Sequence, residues 1–170
     1  MQQGTDAGLL PARAIALLKR WVDPGHGLDA AIAGIEAGVA CVESIFGTNI
    51  MLQATADNIL GQRVMKQGMA SGLTHGMIDG IEGSHQLDYS NFGDVTRWMD
   101  GVRIIADPEH PEGEISLSGD SGAIWYDPDK KTGVGLHFAG EDATGPLAQY
   151  ALAHPLIPVF DAIQIRVVKI

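Results

Sequence analysis

From Phe46 onward, short runs of β-forming residues recur, each closed off by glycine, proline or polar turn residues. Arg63-Val64-Met65-Lys66, Met77-Ile78-Asp79-Gly80-Ile81, Gln86-Leu87-Asp88-Tyr89 and Gly101-Val102-Arg103-Ile104-Ile105-Ala106 are four of them. Runs of this length and spacing predict a β-sandwich or a barrel. The 170 residues, 45% of them hydrophobic, suffice to bury a core. No apolar run is long enough to span a membrane.

Upstream the pattern leaves more open. Ala14 to Val22 reads as a helix or as a buried strand, because an apolar run this short does not settle its period. Asp23-Pro24-Gly25-His26-Gly27 ends it. By propensity Asp29 is a helix N-cap and the alanines from Ala30 are the first turns. At the other end, Pro158 to Ile163 predicts a short closing helix, and Gln164 to Ile170 a last strand or tail.

The segment with the most chemical content is Gly119-Asp120-Ser121-Gly122. It leads into Ala123-Ile124-Trp125-Tyr126, a turn from Asp127 to Gly133, and Val134-Gly135-Leu136-His137-Phe138, which together read as a β-hairpin. A serine between two glycines at the mouth of a hairpin can stand on a sharp turn with free N–H groups beside it. Acyl transfer needs that arrangement, because the tetrahedral oxyanion requires fixed donors. Asp120, next to the serine, either pairs with a cation or is a solvated loop acid. Met65 and Met69 read as core packing.

These residues resemble the trypsin-like (chymotrypsin-fold) serine peptidases, in their disulfide-free bacterial and plant branch. Val64-Met65-Lys66-Gln67-Gly68 followed by Gly72-Leu73-Thr74-His75-Gly76 is similar to that branch's Lys-x-Gly-Arg-Thr-Thr-Gly-Leu-Thr-x-Gly signature, with Met69 and Ala70 where the family has Arg and Thr. Gly119 to Ala123 resembles the nucleophile segment, and Asp29 to Ala33 the segment of the catalytic Asp. Gly135 to Gly140 resembles the strand that pairs with substrate backbone. Asp29 and Ser121 lie 92 positions apart (121 − 29), in the template's order and close to its separation. The resemblance implies a mainly β, chymotrypsin-like barrel fold with the second barrel complete, the first truncated and a short C-terminal helix. It further implies Ser121 and Asp29 as catalytic residues, Gly119 and Ser121 N–H groups as the oxyanion hole, and Leu136, His137, Phe138, Ala139 and Gly140 as the substrate strand. The division expected is 1–50 as the remnant of the first barrel and the inter-barrel segment, and 51–170 as the second barrel.

In that template the general-base His precedes the Asp by roughly 45 residues, whereas 28 residues precede Asp29 here. The strands that carry it are expected to be missing. Of the six histidines, His137 sits nearest the serine hairpin and is the candidate substitute base. His26 lies in a turn, His75 in the glycine-rich signature, and His85, His110 and His154 read as loop or surface positions. No His-x-x-x-His pattern or cysteine cluster points to zinc, and no cofactor is indicated.

A single cysteine, Cys41, excludes an internal disulfide; a buried, inert thiol is expected. The formal charge of −10 argues against a nucleic-acid partner. The first residues lack the charge and apolar core of a signal peptide, so a cytoplasmic location is expected. Two functions follow. One is a peptidase homologue without catalysis that binds a peptide or protein segment by β-addition. The other is an active serine endopeptidase, a hydrolase, whose His comes from an N-terminal segment or a partner chain. A homodimer through the truncated barrel edge is expected on either reading. Ile115 and the residues from His137 to Glu141 would line the specificity pocket. The absence of an acid from Ile115 to Ser118 favours an apolar or small substrate side chain over a basic one.

Overall fold

A computed structural model describes residues 15–22, 27–88, 96–111, 113–141 and 150–168. The expected Pro-Gly turn with His26 lies outside the described residues, apart from Gly27. Nine strands and one helix are assigned among the described residues: β1 (Ala16–Trp21), β2 (Ala31–Ile35), β3 (Ala54–Thr55), β4 (Arg63–Gly68), β5 (Gly72–Asp88), β6 (Thr96–Ala106), β7 (Ile124–Asp127), β8 (Thr132–Gly140), β9 (Tyr150–Pro155) and α1 (Leu156–Ala162).

Seven strands form one sheet in the order β3-β8-β7-β4-β5-β6-β9, and a further β8–β9 pairing closes the six strands other than β3. The result is a six-stranded antiparallel ring, with β3 added parallel to β8. Closure removes the exposed edges that an open sheet would leave. The ring is irregular. Register shifts interrupt β5–β6 at Gly80, β7–β8 after Trp125 and β8–β9 after His137, and such bulges bend strands around a closed sheet.

Period-two alternation fills the interior. On β4, Val64, Lys66 and Gly68 point inward while Arg63, Met65 and Gln67 are more exposed. Val64, Ile78, Val102, Ile104, Ile115, Trp125, Val134, Ala151 and Ala153 make the main core. The expected run at Met77–Ile81 and the described part of the next, Gln86–Asp88, belong to one long strand, β5, whose bulges break the apolar pattern into two pieces; Tyr89 lies outside the described residues. The closing helix forms where expected and buries Leu156 and Val159.

Two local expectations are corrected. Asp29 caps no helix: its neighbours enter β2, which pairs antiparallel with β1 in a separate two-stranded ribbon. The alanines favour a helix in isolation, but the cross-strand partner overrides that propensity. Within the expected segment Ala14–Val22, of which Ala14 lies outside the described residues, Ala16–Trp21 is a strand, and it is largely exposed rather than buried. The ribbon's foot reaches the ring through Ala30, which packs with Val159 and Ile163, and through Asp100 N–H, which donates to the Gly27 carbonyl. Cys41 is exposed, not buried, and Met69 is 92% exposed, not core. Among the described residues no helix is long and apolar enough to cross a membrane.

Candidate functional site

The serine segment consists of two consecutive turns. Asp120 N–H donates to Leu117 O, and Ala123 N–H to Asp120 O. Gly119 (φ +108°) and Gly122 (φ +91°) supply backbone conformations that a side chain would strain. Between them the chain alternates. Asp120 is driven inward and Ser121 stands exposed.

Asp120 is held by five donors. Lys66 Nζ (2.7 Å), Ser71 Oγ (2.6 Å) and Leu117 N–H (3.1 Å) reach Oδ2, and the N–H groups of Ala70 (2.9 Å) and Ser71 (3.1 Å) reach Oδ1. Lys66 Nζ also donates to Ser71 Oγ. Both ionic side chains are 0% exposed. Burial alone would raise the carboxyl's pKa. The bonds from Lys66, Ser71 and the backbone outweigh it and hold the group well below the usual carboxylate range. This also accounts for the glycine-rich turn between β4 and β5. A side chain on Gly68 would collide with the Asp120 carboxylate, and Ala70 acts through its N–H, which any non-proline residue supplies.

With the turns so fixed, Asp120, Gly122 and Ala123 N–H groups are spent inside the protein, Gly122 N–H on His137 O. Those of Gly119 and Ser121 have no acceptor among the described residues. They flank the exposed serine, so the donors that an oxyanion requires remain available.

Strand β8 passes directly behind. His137 N–H donates to Ala123 O, and there the pairing on the β7 side ends, while β8 continues through Phe138 and Ala139 to Gly140. On its other side β8 stays paired to β9 as far as Gly140 opposite Ala151. Phe138–Gly140 therefore offer one unpaired strand edge, among the described residues, beside Ser121. Ser116 Oγ occupies the space where a side chain on Gly140 would sit, which narrows the groove there.

The predicted residues are only partly brought together. Ser121, Gly119 and the end of β8 share one region. Leu136 packs into the cluster around α1, and Phe138 stacks on His154 at 3.9 Å between ring centroids. Asp29 is placed across β9: its N–H donates to His154 Nε2 (2.9 Å), while His154 Nδ1 donates to Asp100 O (2.6 Å). His154 is therefore buried and fully used by the backbone, against the expectation of a surface residue. Ile115 is buried in the main core. His137 is buried, edge-on to Trp125, with Nδ1 unpartnered. Burial, helped by the Lys66 charge, pushes its pKa down to about 4, so the ring is neutral at pH 7. His75 stacks on His110 at the 107–110 loop. Among the described residues no cluster of three or more His, Cys, Asp or Glu could hold a metal.

Sequence reasoning missed Lys66, Ser71 and His154. For Lys66 a signal existed: it shares the strand face of Val64, so the two-residue period already placed it inside.

No protein-family model matches the sequence, and no curated protein does. Solved structures do match. A glutamic-acid-specific serine protease, described as using a histidine triad in substrate binding, aligns with a TM-score of 0.68 at 20% identity over 91% of this chain and 74% of that one. Cellulomonas bogoriensis chymotrypsin aligns at 0.62 and 19% over 85% and 71%, and a Nocardiopsis protease at 0.64 and 18% over 89% and 72%. The chain thus has the fold of trypsin-like serine peptidases.

Proposed function

We propose that this chain binds an extended peptide by adding it to the free edge of β8 at Phe138–Gly140, with a peptide carbonyl turned toward the Gly119 and Ser121 N–H groups. The observation that carries this is the end of β7 pairing at His137, which leaves strand edge beside an exposed serine. β-Addition supplies main-chain hydrogen bonds, and the narrow groove at Ser116 and Gly140 favours small side chains. Residues 51–170 would be the binding barrel and 1–50 the remnant of the first.

On this reading the isolated chain does not hydrolyse what it binds. A serine hydroxyl is a weak nucleophile without a neighbouring base, and losing one essential triad member costs about 10⁶ in turnover by the subtilisin precedent. His154 is committed to backbone partners, and His137 is enclosed beside Trp125. His26 lies outside the described residues. The second reading, an endopeptidase completed by an imidazole from another segment or chain, draws on the placement of Asp29 against the strands behind Ser121 and on neighbours longer than this chain.

The test is labelling of the isolated chain with a fluorophosphonate probe, with Ser121→Ala as control, beside NMR titration with short alanine-rich peptides. No Ser121-dependent labelling, with shifts confined to 119–122 and 137–141, is expected. Rapid labelling would refute the non-catalytic reading. Absent peptide shifts would refute β-addition.

A further inference from the structure

The ribbon of β1 and β2 projects from the ring and has one face without a single charge. Ala16 lies opposite Ile35, Leu18 opposite Ala33, and Trp21 opposite Ala31. Directly opposed residues share a face, so these six form one continuous apolar surface. Leu18 is 54%, Trp21 67% and Ile35 57% exposed. The other face is different. Ile32 packs toward α1, and Lys19 lies across Gly34.

A sheet face of this kind needs a second layer, and no described residue supplies it. We infer that the cover is the same face of a second copy, which makes the chain a two-fold homodimer through its β1–β2 ribbons. Three features select that occupant. First, the large residues sit on β1 (Leu18, Trp21) and small ones on β2 (Ala31, Ala33). A two-fold axis parallel to the strands sets each β1 over the partner's β2, large against small, so the face is complementary to itself. Second, the protein carries −10 overall, yet this face brings no like charges together. Third, the area is adequate. With roughly 150–250 Å² per large side chain, the exposed fractions of Leu18, Trp21 and Ile35 give on the order of 300–400 Å² per copy, and with the alanines up to about 1,000 Å² in all, near the lower limit for a specific interface. The dimer is independent of whether the β8 edge binds peptide.

Sedimentation velocity of the full chain over a concentration series tests this, with Trp21→Glu and Leu18→Glu as interface variants and Ile59→Glu, exposed elsewhere, as control. Wild type and Ile59→Glu should shift from monomer to dimer with rising concentration, and each interface variant should weaken dimerisation at least tenfold. Should the glutamate variants not fold, the wild-type melting temperature decides, since a dimer's rises with protein concentration. A wild type that stays monomeric at the highest concentration, with a concentration-independent melt, overturns the inference. So does a dimer that survives Trp21→Glu.

Discussion

Lys66→Met is the most informative single change. It removes the only charged donor among the five that hold Asp120 and keeps most of the volume. Both side chains are 0% exposed, so solvent screening cannot replace the lost cation. Breaking a buried pair from one side typically costs about 3–5 kcal/mol. For a chain of this length that is a fall of roughly 6–20 °C in melting temperature. The sign of the pH dependence follows from Asp120. Its folded pKa lies below the ordinary carboxylate value, so its stabilisation is complete above that value and is lost as pH falls through the acid range. In Lys66→Met the carboxyl loses its counter-charge and its pKa rises. The gap between variant and wild type should then shrink toward acid pH, where the variant's Asp120 is neutral. Urea unfolding at neutral pH and near pH 4 reads both quantities. The Lys66→Met/Asp120→Asn double variant should lose less than the sum of the singles. A cost under about 1 kcal/mol, or one that does not change with pH, would refute the buried-pair argument.

Three further outcomes follow. His137 titrates at about 4 in the folded chain against about 6.5 unfolded, so wild-type stability should fall by roughly 3 kcal/mol as pH drops through that window. Circular dichroism melts of His137→Leu should lack this slope. His154→Ala removes the acceptor of Asp29 N–H and the donor to Asp100 O; a loss of about 2–3 kcal/mol and faster hydrogen exchange at Asp29 and along β2 are expected. Gly140→Ala introduces a methyl where Ser116 Oγ sits, so peptide affinity at the β8 edge should drop at least tenfold in isothermal titration while the melt moves by roughly 1–3 kcal/mol equivalent.

Local features of the site were legible because they are written in consecutive residues. The β7–β8 hairpin follows from two apolar runs around an Asp-Pro turn, and Asp127 holds that turn by accepting from the N–H groups of Asp129 and Lys130. The exposure of Ser121 follows from the glycines at 119 and 122, whose positive φ angles build the double turn. The long-range half was not legible. Nothing near Asp120 indicates that its cation comes from 54 positions away, nor does His154 carry any local mark of serving Asp29 from 125 positions away. Asp29 itself was misread as a cap, since a run of alanines favours a helix until another strand is present to pair with it.

By itself, then, the sequence determined the strand and turn punctuation from Phe46 onward, the short closing helix and the position of the serine turn. These depend on backbone preferences and side-chain alternation within a few residues. Tertiary structure alone decided which groups meet inside. Ring closure brings β4, the serine turns and β8 together. That turns a lysine and an aspartate into a buried pair, commits His154 to backbone partners and leaves the β7-side edge of β8 without a partner strand at Phe138–Gly140 among the described residues. Burial and long-range pairing are properties of the assembled sheet, because desolvation is set by what the rest of the chain places around a residue.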